Sequence, residues 1–89
     1  MNYYVYLLVS EPINKKTYSY VGYTNNLEKR ISLHNSNKGA KFTRGRKWML
    51  IYKEKFKSKK EAISREYYIK KNRKLRNSLK NENSNPITI

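Results

Sequence analysis

Tyr6, Tyr20, Arg30, His34 and Glu66 are the residues of this chain whose types and order suit attack on a phosphodiester. Such hydrolysis needs a nucleophile, usually water, a base to take its proton, and positive charge against the charge that develops in the transition state. A divalent metal often supplies part of that charge. The planar guanidinium of Arg30 can donate two parallel bonds to a phosphate, which a mobile lysine cannot. His34, the only histidine, would carry a proton or donate to phosphate, since a free imidazole titrates near about 6.5. A phenol titrates near about 10, so Tyr6 or Tyr20 serves as a base only where nearby cations favour its phenolate.

Each of these residues also has an ordinary reading. The chain has nine tyrosines, and tyrosine is common in strand cores. Arg30 could pack against the sheet, and His34 could be a satisfied helix histidine. Glu66 could form only an i, i+4 pair with Lys70, which is worth little at a surface. There are six glutamates and no aspartate, and Glu61 and Glu28 read as helix caps. A site with two metals needs several converging carboxylates. A single Mg²⁺ or Mn²⁺ fits better, held by Glu66 together with water and substrate oxygens.

The elements that must position these groups follow from local pattern. Tyr3 to Val9 is aromatic, branched or Leu and reads as a strand, broken by Glu11-Pro12. After the polar stretch Ile13 to Lys16, Thr17 to Tyr23 favours a second strand in an antiparallel hairpin. Alternation puts Tyr4 with Tyr6 on one face, and Tyr18, Tyr20 and Gly22 on one face. Asn25 with Glu28 resembles a capping pair for a helix over Leu27 to His34, whose i, i+3, i+4, i+7 stripe is Leu27, Arg30, Ile31 and His34. Trp48 to Phe56 reads as a third strand, with Leu50, Tyr52 and Glu54 alternating against Met49, Ile51 and Lys53. Ser58 and Glu61 form a capping box before a helix over Ala62 to Lys71, with Ala62, Ile63 and Ile69 apolar and Glu66 on the inward side. A further short helix is expected around Leu75 to Lys80. Residues 1–80 are expected to form one domain and 81–89 a flexible tail.

Charge defines the partner class. Lys and Arg number 21 and the net charge is +15, which points to polyanions: phosphates neutralised by cations release counterions and give affinity independent of sequence. Lys41, Arg44, Arg46 and Lys47, in the loop between Gly39 and Trp48, are the expected phosphate contacts. A solvated basic surface is the plainer alternative. No apolar run approaches the roughly 20 residues that span a membrane, and Met1-Asn2-Tyr3 does not open a signal peptide. The absence of cysteine rules out disulfides and thiolate metal sites, and a reducing cytoplasmic, nucleoid-associated location is the simplest reading. Oligomeric state is not readable from this chain.

Taken together, Tyr4-Val5-Tyr6, Tyr20-Val21-Gly22-Tyr23-Thr24-Asn25, Arg30 to His34-Asn35, the loop Gly39 to Arg46, and Glu61-Ala62 to Glu66 with Ile69-Lys70-Lys71 resemble the GIY-YIG endonuclease superfamily, especially its short single-domain bacterial branch. The resemblance spans about residues 3–74. It implies an α+β fold, a small three-stranded antiparallel sheet with flanking helices, and metal-dependent hydrolysis of DNA with Mg²⁺ or Mn²⁺. In that pattern Tyr20 is the candidate base, Tyr6 orients groups beside it, Arg30 binds phosphate and Glu66 holds one metal ion. Tyr4 stands where the family's first glycine is usual, and Val5 and Val21 replace isoleucine. The expected function is a structure-selective or weakly specific DNA endonuclease. The alternative is a basic module that binds DNA or RNA without cutting.

Overall fold

Strand β1 (Tyr3–Ser10) lies between β2 (Ser19–Thr24) and β3 (Trp48–Phe56) and runs antiparallel to both. A strand hemmed by neighbours and covered on both faces must be apolar at every position, and Val5, Tyr6, Leu7 and Leu8 are no more than 1% exposed. This computed structural model describes residues 1–83 and 85–87. Helices α1 (Leu27–Asn35), α2 (Lys59–Lys71) and α3 (Arg73–Glu82) complete the fold, with a 3₁₀ turn at Lys41–Thr43. The expected α+β architecture, a three-stranded antiparallel sheet flanked by helices, is the one found.

The alternation of β1 divides the core in two. Val5 and Leu7 join Val21, Ile51, Ala62, Ile69 and Leu79, so α2 and α3 cover one face. Tyr6 and Leu8 join Leu27, Trp48 and Leu50, with Ile31 beside them, so α1 covers the other. Ile63, placed by sequence on the apolar stripe of α2, instead points outward and is 41% exposed.

Strict alternation fails in β3. Leu7 pairs with Tyr52 but Leu8 pairs with Leu50, so Ile51 is an extra residue, a β-bulge. Trp48 and Leu50 therefore face α1, while Ile51 and Tyr52 join the face under α2. Glu54, opposite Val5, follows them and meets Arg65 of α2 in a two-point ion pair at 2.8 and 3.0 Å. The expected shared face of Leu50, Tyr52 and Glu54 is thus broken by one inserted residue.

Local signals set the helix ends. The cap of α1 is Asn26 rather than Asn25, its side-chain oxygen accepting from the Lys29 amide at 3.1 Å. Glu28 lies in the first turn, where a negative charge complements the helix dipole. Ser58 caps α2 as expected, accepting from the Glu61 amide at 3.2 Å and donating to its carboxylate at 2.9 Å. Asn72 caps α3 by accepting from Leu75, and the helix continues to Glu82. Asn81 and Glu82, read from sequence as the start of a tail, are its last turn. Beyond it the Ile87 amide donates to Leu50 of β3 at 2.7 Å. Within the expected tail, Ser84, Thr88 and Ile89 lie outside the described residues.

Candidate active site

Tyr6 and Gly22 are directly opposed on the β1–β2 ladder, and Tyr20 lies two residues along on the same face. The Tyr6 ring occupies the space above Gly22: a methyl built there would come within 2.6 Å of Tyr6 Cζ. The glycine is therefore needed for close passage of the phenol. Tyr6 and Tyr20 sit side by side, ring centroids 6.4 Å apart.

From Tyr6 a buried chain of polar groups leads into the protein. Tyr6 Oη is 2.9 Å from His34 Nε2, and His34 Nδ1 is 2.9 Å from Thr43 Oγ1. Thr43 spends its single hydroxyl proton on the Ala40 carbonyl at 2.7 Å. It must then accept from Nδ1–H, which leaves Nε2 of the neutral imidazole to accept from the Tyr6 hydroxyl. Burial, followed by the nearby Arg30 charge, lowers His34 to about 4, consistent with the neutral ring. Burial also pushes the Tyr6 phenol up to about 12, against the pull of the Arg30 guanidinium. Gly39 makes room for the histidine, since a methyl there would stand 2.5 Å from Nδ1.

Arg30, one turn before His34, projects beside both phenols. The Tyr6 hydroxyl, outweighing the cost of partial burial, holds the guanidinium still more firmly protonated than usual. Its Nε is buried and, like that of Arg46, has no hydrogen-bond partner among the described residues. An unsatisfied buried N–H on a cation is costly, and an anion at this position would satisfy it.

These groups open onto one cavity of about 390 Å³ at the β2 edge of the sheet, lined by Tyr6, Tyr20, Gly22, Arg30 and Glu66, with Lys59 at its margin. The edge explains how residues from opposite faces meet: α1 delivers Arg30 from one side, and α2 delivers Glu66 from the other. The Glu66 side chain is 17% exposed and lies 3.5 Å from Lys70, so the i, i+4 pair is present as well. Glu66 is the only carboxylate on the cavity wall, and no cluster of three or more acidic, histidine or cysteine side chains occurs among the described residues.

Four of the five residues singled out by chemistry thus line the cavity. His34 does not: it is fully buried beneath Tyr6 with both nitrogens engaged, so direct donation to phosphate is replaced by support of the Tyr6 phenol. The basic loop is also separate from the cavity. Lys41, Arg44 and Lys47 are exposed, whereas Arg46 is half-buried, its guanidinium 4.4 Å from the Tyr18 ring centre and 4.9 Å from that of Phe42. Thr43 and Asn35 stand in the sequence motifs but are given no role by them: Thr43 orients His34, and Asn35 clamps Trp48 by accepting from its amide at 2.7 Å and donating to its carbonyl at 3.2 Å. Nothing periodic marks either residue.

The GIY-YIG catalytic domain family matches residues 2–81. The chain belongs to the GIY-YIG family. It is 52% identical over 88 residues to the UPF0213 protein CPE1444 of Clostridium perfringens, covering 90% of each chain. It is 48% identical over 69 residues to the UPF0213 protein SH2523 of Staphylococcus haemolyticus, covering 76% of this chain and 79% of that one. The solution NMR structure of the UPF0213 protein BH0048 from Bacillus halodurans is 41% identical, covers 89% of this chain and 82% of that one, and superposes with a TM-score of 0.46. GIY-YIG membership places the chain in a nuclease family. The bulky Tyr4, where a GIY-YIG glycine is usual, packs toward Leu27 and Lys53 in a separate cleft and leaves the main cavity clear. No helix among the described residues is long and apolar enough to cross a membrane.

Proposed function

We propose that this protein is a metal-dependent DNA endonuclease of weak or structure-based specificity. The observation that carries the reading is the convergence of Tyr6, Tyr20, Arg30 and Glu66 on one cavity at the β2 edge. Arg30 receives the scissile phosphate, and its unpartnered Nε–H gains an acceptor when the phosphate arrives. Tyr20, with its phenol on the cavity wall and Arg30 close by, takes the proton of the attacking water. Tyr6 is unsuited to that role, because its own proton is committed to His34 and burial disfavours its phenolate. It orients the water and the phosphate instead, held by the bonds through His34 to Thr43.

The donor set fits a single Mg²⁺ or Mn²⁺: one largely shielded carboxylate, Glu66, with room beside it for water and substrate oxygens. When bound, such an ion supplies positive charge to the developing phosphorane-like transition state. Lys70 would release Glu66 to bind it. The net charge of +15 supports DNA as the polyanion, in a cytoplasmic, nucleoid-associated setting, with flaps, junctions or damaged strands as targets. The Glu66–Lys70 pair favours a second reading, a module that binds DNA or RNA without cutting, in which Glu66 is only half of a surface bridge.

Labelled duplex, flapped and branched DNAs incubated with Mg²⁺ or Mn²⁺ separate the two. Cutting by the wild type that is lost in Glu66→Ala and Tyr20→Phe, with DNA binding retained, is the expected result. Salt-sensitive binding with no cutting of any substrate would leave the binding module.

A further inference from the structure

Beside the cavity lies an aromatic surface of which the proposed hydrolysis uses only Tyr20. Phe42 is 46% exposed although it stands in a loop of cations. Its ring is inclined only 20° to that of Tyr20, with centroids 6.4 Å apart, and it meets Trp48 at 6.1 Å and Tyr18 at 6.2 Å. Arg46 braces this group from the side, its guanidinium over both Tyr18 and Phe42 and bonded to the Phe42 carbonyl. Trp48 is fixed in turn by its indole N–H, which donates to the Thr43 carbonyl at 2.9 Å. The result is an aromatic ledge that begins at Tyr20 on the cavity wall and ends at the half-exposed ring of Phe42. Lys41, Arg44 and Lys47 are exposed around it.

Aromatic side chains set among cations suit a strand whose backbone is anionic and whose base faces are free. Each stacked base contributes about 1–3 kcal/mol with little regard to its identity. In a duplex both faces of a base are already covered by neighbours, so only an unpaired base can use such a ledge. A protein partner would call for a broader apolar patch with fewer charges at its centre.

We propose that the Tyr20–Phe42 ledge receives an unpaired nucleobase beside the scissile phosphate, so that the substrate class is DNA with a single-stranded or frayed strand at the cut. This assignment of substrate rests on the reading of the cavity as a nuclease site. Arg46 braces Phe42 against Tyr18, and the three exposed cations hold the phosphates that flank the stacked base.

The test is binding of fluorescently labelled single-stranded DNA and of the matching duplex, without divalent metal, by the full chain and by Phe42→Ala, Phe42→Leu and Phe42→Trp. The wild type should prefer the single strand. Phe42→Ala and Phe42→Leu should weaken that binding by about 5- to 100-fold while changing duplex binding less than about twofold. Phe42→Trp should stay within about threefold of the wild type. Should Phe42→Ala not fold, Phe42→Leu against Phe42→Trp carries the comparison, because leucine fills the volume without offering a π face. Equal effects on single strand and duplex, or none on either, would overturn the proposal. Because no metal is present, loss of the ledge effect and failure to cut DNA are separate results: an intact ledge effect without cutting sinks the hydrolase and upholds unpaired-base binding.

Discussion

The Tyr6 phenol and the Cα of Gly22 share a space that admits no additional atom. Tyr6 cannot swing away freely, because its hydroxyl is tied to His34 on the far side. Gly22→Ala is therefore expected to destabilise the fold by about 1–3 kcal/mol, the range for overpacking a dense core. It should also reduce cutting beyond what the lost folded fraction explains. Urea denaturation together with cleavage rates checks both; a variant as stable and active as the wild type would contradict the geometry.

His34 makes a pH prediction whose sign is fixed by its shift. In the fold its pKa is lowered from 6.5 to about 4. Between these values the unfolded chain binds a proton that the folded protein refuses, so stability falls as pH drops through the window and is level above it. The full loss reaches about 3 kcal/mol. His34→Gln cannot titrate, so its stability curve should lack this segment, while the unsupported Tyr6 hydroxyl costs about 1–3 kcal/mol at neutral pH. Parallel denaturation curves for the two proteins from about pH 7 to about pH 4 would show that His34 does not contribute the slope.

Arg30→Lys keeps the charge but removes the fork. Loss of one well-placed donor to transition-state charge typically costs about 10²- to 10³-fold in rate, and a fall of that size at saturating DNA is expected here. Binding should weaken far less. A lysine variant that cuts at the wild-type rate would remove Arg30 from the proposed phosphate clamp.

The loop cations predict a salt effect. Each phosphate contact contributes about 0.9 to the slope of log affinity against log salt on duplex DNA. Combined replacement of Lys41, Arg44 and Lys47 by alanine should flatten that slope by about 2 to 3 if all three meet phosphates. Arg46 is left in place because it braces Phe42 and Tyr18. An unchanged slope in the triple variant would move the binding face elsewhere on the molecule.

The parts of the fold legible in the sequence were those written in local pattern. The aromatic and branched runs became β1, β2 and β3, the Ser58–Glu61 box opened α2, and the stripe of α1 brought Arg30 beside Tyr6 and Tyr20. Asn25 and Asn26 are equally good caps by type, and only the turn made by Thr24, whose hydroxyl accepts from the Asn26 amide, selects the second. The extent of α3 escaped because its core side is little more than Leu75 and Leu79. Thr43 escaped because its partner, His34, is reached by the path of a loop, which has no period to read. The Ile51 bulge depends on how β3 pairs with β1, a non-local fact that the alternation of β3 alone does not contain.

That bulge acts as a parity switch for the chain's acids. Without the extra residue, Glu54 would share the side of Trp48 and Leu50, the side from which Arg30 projects, and would stand as a rival anion to any phosphate. With it, Glu54 is turned through the sheet to pair with Arg65 and accept a hydrogen bond from the Tyr52 hydroxyl. Among the described residues Glu66 is left as the sole carboxylate facing the cavity. A single inserted amino acid, contributing no functional group of its own, thereby sorts one glutamate into the scaffold and leaves another on the cavity wall.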